Sequence, residues 1–132
     1  MTTLIALISS GKGTWGQVSS LMKLGNWEKV IIICNEFSYE NYKVESNKIL
    51  KLRLDMKNPQ DSIDNLSKVL KKEIPDFEVG LNLSSGEGME HMVVISAILK
   101  AGLGMRFVYA DYNELKELKI FENTFILDEE IL

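Results

Sequence analysis

The chain has 132 residues, 45% of them apolar and 26% charged. That describes one domain able to bury about two-thirds of its unfolded surface without staples. Fifteen lysines and arginines against 19 acids give a formal net charge of −4, which argues against a duplex nucleic-acid partner, since such binding relies on many phosphate contacts. One cysteine, Cys34, and one histidine, His91, leave no disulfide framework, no CxxC metal site and no His-based zinc site unless acids or a second chain contribute ligands. The start, "MTTLIALISSGK", lacks a basic lead, and its apolar stretch is too short for a signal peptide. No run reaches the length of a membrane span. A soluble, cytoplasmic protein without a membrane partner is expected.

Residues 3–9, "TLIALIS", form an unbroken apolar run, the pattern of a strand covered on both faces. A glycine loop follows, and from Trp15 to Leu24 apolar residues recur at helical spacing until Gly25-Asn26 stops them. "KVIIICN", 29–35, is a second buried strand, with Cys34 read as a core thiol. Residues 36–46 are a polar and aromatic connection, and 48–55, "KILKLRLD", alternate as a half-exposed strand does. Asn58-Pro59 opens a helix with one apolar stripe through Ile63, Leu66, Val69, Leu70 and Ile74. Pro75-Asp76 ends it, and "EVGLNLS", 78–84, is the fourth strand. Residues 88–104 form an almost wholly apolar helix, expected to be covered on both sides. "MRFVYAD", 105–111, is the fifth strand, "NELKELKI", 113–120, a short helix, and 123–129 an edge strand.

Strands and helices thus alternate throughout, as in a three-layer Rossmann-like α/β domain spanning 1–132. The expected core order is 3-2-1-4-5, mainly parallel, with right-handed crossovers. Strands one and four are then neighbours, and ligands of open α/β sheets bind beyond the strand ends at such a switch point. Both strands end in Ser-Ser-Gly-x-Gly: Ser9-Ser10-Gly11-Lys12-Gly13 and Ser84-Ser85-Gly86-Glu87-Gly88.

Read alone, "GKGTWG" satisfies G-x-G-x-x-G with Gly11, Gly13 and Gly16, and Glu36 stands 20 residues further on. That is the form of an NAD or FAD dinucleotide fingerprint. A P-loop is excluded, because Ala6 and Gly13 occupy its glycine and hydroxyl positions. Read as a pair, the loops can each present unpaired N–H groups in front of a helix start, which suits an anion. Ser9, Ser10, Thr14, Ser84 and Ser85 add hydroxyls, and Lys12 adds a cation. Glu87 and Glu90 suit a helix start but oppose a phosphate, which directs the second loop toward a ribose or a base. Tyr39 and Tyr42, with Phe37, are candidates for stacking on a base, while packing beneath the connection is the structural alternative. His91 reads as structural or as an acid–base group.

"LNLSSGEGMEHM" followed by "GMRFVYAD" resembles the CARF domain, the CRISPR-associated Rossmann fold. The family's fourth strand ends in Asn or Asp, then Thr or Ser, then a glycine pair and a basic residue. Here the second family glycine falls on Gly86, the first on Ser85, and Glu87-Gly88 stand where a cation is usual. The resemblance implies a homodimer that binds a cyclic oligoadenylate, through Ser9–Thr14 and Ser84–Gly88, and signals to a separate effector protein in antiviral defence. It also implies a catalytic alternative, a metal-independent ring nuclease using Ser10 and Lys12. No cofactor or metal is expected.

Overall fold

The computed structural model describes residues 2–120. Strand β1 (Thr3–Ile8) runs through the centre of the sheet. Its alternate side chains feed two cores: Ile5 and Leu7 enter one, Leu4, Ala6 and Ile8 the other, as the two-residue period of a strand requires. Strand β2 (Lys29–Cys34) does the same, with Ile31 and Ile33 on one side and Val30, Ile32 and Cys34 on the other. Cys34 is a fully buried core side chain, and that burial pushes its thiol pKa up.

Between them lie a 3-10 turn (Lys12–Thr14) and α1 (Trp15–Leu24). The chain continues through α2 (Glu36–Asn41), β3 (Ile49–Arg53), α3 (Pro59–Glu73), β4 (Glu78–Asn82), α4 (Gly88–Lys100), β5 (Gly104–Asp111) and β6 (Glu114–Glu117). The sheet order is β3-β2-β1-β4-β5-β6, parallel except for β6. This is the expected 3-2-1-4-5 order with one strand added at the edge. Helices α3 and α4 cover the first core, and α1 covers the second.

Three local expectations are corrected. Residues 36–41 form a helix because Asn35 caps it twice: Oδ1 accepts the Ser38 N–H at 2.9 Å, and the Asn35 N–H is donated to Ser38 Oγ at 3.1 Å. Residues 114–117, expected as helix, pair with β5 instead, through a turn that holds Tyr112 at φ +56°. Arg106 bridges Glu78 and Glu117 across the strands, and Lys116 reaches Asp111 at 2.7 Å. Helix α4 buries Val93, Val94, Ala97 and Ile98 but leaves Met89, Met92 and Leu99 half or more exposed, so among the described residues only one side is covered. The strand expected over 123–129 lies outside the described residues. No helix among those described is long and apolar enough to cross a membrane.

Candidate functional site

Because β1 and β4 are parallel neighbours, their following loops leave the same edge of the sheet side by side. The Ser9 N–H is donated to Ser85 Oγ at 2.9 Å, bonding one loop directly to the other. The Ser9 hydroxyl reaches the Glu90 carboxylate in the first turn of α4, 3.0 Å to Oε1 and 3.4 Å to Oε2. Glu90 Oε1 also accepts the Glu87 N–H at 2.9 Å, which satisfies one of the unpaired donors of the helix start. From the other side, Asn35 Nδ2 donates to Ser9 Oγ at 3.2 Å and to Ser10 Oγ at 2.7 Å. Asn35, Ser9 and Glu90 thus form a continuous polar floor linking the ends of β1 and β2 to the start of α4. Glu90 is only 6% exposed.

Outer bonds fix the backbone of both loops. Trp15 Nε1 donates to the Ser9 carbonyl at 2.8 Å, and Ser38 Oγ donates to the Ile8 carbonyl at 2.6 Å. His91 Nε2 lies 2.8 Å from the Ser85 carbonyl, which makes that nitrogen the donor and gives His91 a structural task. Thr14 Oγ1 donates to the Gly11 carbonyl at 3.2 Å, closing the first loop. Gly86 is held at φ +96°, where an added Cβ would lie 2.4 Å from Leu7 Cδ2; both conditions require glycine.

Above this floor is an open cleft of about 460 Å3. The first loop contributes Ser9, Ser10 and Gly11, the second Gly86 and Glu87, and α4 Met89 and Glu90. Asn35 and the start of α3, with Met56 and Pro59, complete the wall. Two carboxylates therefore face the cleft, and among the described residues no lysine or arginine lines it. A full negative charge 4 Å from either would be repelled by about 4 kcal/mol at an effective dielectric near 20.

The remaining expected site residues lie around this cleft. Lys12 Nζ sits 5.7 Å from the Trp15 ring centroid and 5.6 Å from that of Phe37. It is therefore on the aromatic side of the first loop, apart from the cleft lining. Gly13 and Gly88 are exposed, and an added Cβ at either meets nothing within 4 Å. Ser84 turns back, donating to Asn82 Oδ1 at 2.6 Å. Tyr39 is surface-exposed, but Lys51 Nζ and the Arg53 guanidinium stand 4.9 and 5.1 Å from its ring. Tyr42 is a correction: it is buried, edge-on to Trp15, with its hydroxyl 2.8 Å from Ser19 Oγ. Its ring belongs to the core and has no face for a base.

The dinucleotide fingerprint lacks one of its mechanical reasons. Its third glycine serves close helix–strand packing, yet an added Cβ at Gly16 meets nothing within 4 Å. Sequence reasoning missed Asn35, Met56, Pro59 and Met89, and read Glu90 as helix-start chemistry and as an acid opposing a phosphate, without its bonds to Ser9 and the Glu87 N–H. The spacing of Asn35 and Ser38 is a capping signal that marks the end of β2. Among the described residues no group of three or more His, Cys, Asp or Glu could hold a metal ion. No protein-family model matches the chain, and no curated protein is detectably similar to it.

Proposed function

We propose that the chain is a nucleotide-sensing module, similar to the CARF domain, that binds a cyclic oligoadenylate or related phosphorylated nucleotide as a homodimer. The observation that carries this reading is the joining of the two Ser-Ser-Gly-x-Gly loops by the Ser9–Ser85 bond beneath one cleft. That cleft lies where ligands of open α/β sheets bind. Gly11, Gly13 and Gly88 have no steric need for glycine inside the chain, which suits loops whose backbone a ligand approaches closely.

Support for the dimer comes from α4. Met89, Met92 and Leu99 are 50, 58 and 60% exposed and, at spacings of three and seven, share one face of the helix. Met89 also lines the cleft. A second copy on this face would bring two clefts beside one two-fold axis. A separate effector protein would then read the liganded dimer. The ring-nuclease alternative needs Ser10 and Lys12 at one phosphate. Ser10 lines the cleft while Lys12 is held over Trp15 and Phe37, so binding without cleavage is the reading adopted.

Calorimetric titration with cyclic tetra-adenylate and cyclic hexa-adenylate tests it. Saturable heat with one ring per two chains is the expected result. No heat and no thermal shift with either ring would overturn the proposal.

A further inference from the structure

We infer that Glu90 and Glu87 make the cleft a reader of ribose hydroxyls and that the ligand's phosphates stay outside it. This rests on the reading of the cleft as a nucleotide site and goes on to say which part of the nucleotide it selects.

The chemistry of the lining carries the inference. Glu90 Oε1 already takes the Glu87 N–H and the shorter arm of the Ser9 hydroxyl bond. Among the described residues, Oε2 receives only the 3.4 Å arm of that same hydroxyl, which leaves it lone pairs for a further donor. The carboxylate is fixed from below through Ser9 and Asn35, and Glu87 stands beside it on the wall. An ionised carboxylate accepts hydrogen bonds and gives none. Both N–H groups of the Asn35 amide are directed at Ser9 and Ser10. Among the polar side chains of the described lining residues, that leaves the Ser10 hydroxyl as the donor. Among the side chains of the described residues, a phosphate, which is all acceptor, finds two carboxylates and one hydroxyl, and beyond that hydroxyl only the backbone N–H groups of the two loops favour it. A ribose 2′-hydroxyl, which can donate, finds matched acceptors, the pairing by which an acidic residue recognises that hydroxyl in dinucleotide sites. A divalent cation is the other partner for carboxylates, and among the described residues no metal-holding group is present.

Nitrogen-15 amide spectra of the intact chain, titrated with adenosine, 2′-deoxyadenosine and inorganic phosphate, test the inference at Ser10, Gly86 and Glu87. Adenosine is expected to move these amides and to bind about tenfold or more tightly than 2′-deoxyadenosine. Phosphate is expected to leave them in place. Glu90→Gln keeps an Oε1 acceptor for Ser9 and Glu87 but replaces Oε2 with an amide donor, and should bring the two nucleosides to within about twofold. Glu87→Gln, at an exposed position, should reduce discrimination without affecting folding, whatever Glu90→Gln does to stability. Equal affinity for the two nucleosides, movement of these amides by phosphate, or no movement by any probe would each overturn the inference. Adenosine discrimination in a protein that binds neither cyclic ring would instead overturn the proposed function alone. Equal binding of cyclic tetra-adenylate and its 2′-deoxy counterpart would overturn the inference alone.

Discussion

In the loop after β1, an added Cβ at Gly11 or Gly13 meets nothing within 4 Å; in the loop after β4, one at Gly86 would lie 2.4 Å from Leu7 Cδ2, on a backbone already at φ +96°. The serines differ in the same way. Ser9 is buried and Ser10 exposed, whereas Ser84 is exposed and Ser85 buried. Strand pairing explains this. The β1–β4 register that sets Ala6 opposite Asn82 continues to Ser9 opposite Ser85, where the loops bond. Spelled alike, the two motifs sit one residue out of step, and one residue reverses which side chains face inward. The first loop is therefore an open, glycine-lined rim. The second is a sterically fixed wall that carries the carboxylates.

The largest effect that would break this contrast is at the fixed glycine. Gly86→Ala combines a left-handed backbone with a clash against a core leucine, and should cost about 2–4 kcal/mol. Gly13→Ala, at a position without positive φ or a close neighbour, should be neutral or stabilising by up to about 1 kcal/mol. Urea unfolding of the two variants checks the difference; equal effects would mean that the loops are equally constrained. Next in size is the buried serine. Ser9→Ala removes the hydroxyl between Asn35 and Glu90 and should cost about 1–3 kcal/mol, since it strips a bond from a buried carboxylate. Ser84→Ala, on the solvent side, should stay within about 0.5 kcal/mol. The reverse ranking would restore the register that the two spellings suggest.

Apolar runs marked β1 and β2 as central strands, because a strand buried on both faces leaves a continuous hydrophobic signature, and the alternation of strands with helices supplied the order. Elements decided by partners were less legible. Leu115 and Leu118 are three apart, as on a helix, yet pairing with β5 and the cross-strand ions hold residues 114–117 extended. Helix α2 is six residues without an apolar stripe and owes its start to Asn35. The site was half legible. Its glycines and serines stand in the chain as motifs. Asn35 and Glu90 join them only because β2 ends beside β1 and the first turn of α4 folds back under Ser9. Tyr42 shows the limit of aromatic spacing: the same residue type at one strand end can be a platform or a core ring, and contact with Trp15 and Ser19 makes it the latter.

Lys12 provides a small but more discriminating change. Its ammonium rests against Trp15 and Phe37, and an exposed cation–π contact is worth about 0.5–1 kcal/mol. Lys12→Ala should therefore lower stability by no more than that. If phosphates stay outside the acidic cleft, the first loop's rim is where they meet a cation. The same substitution should then weaken cyclic tetra-adenylate several-fold and flatten the salt dependence of its binding, since one ionic contact is lost. Calorimetry at two ionic strengths measures both. Unchanged affinity and salt slope would place the phosphates away from the rim, and the division of labour between the loops would then lie within the acidic wall alone.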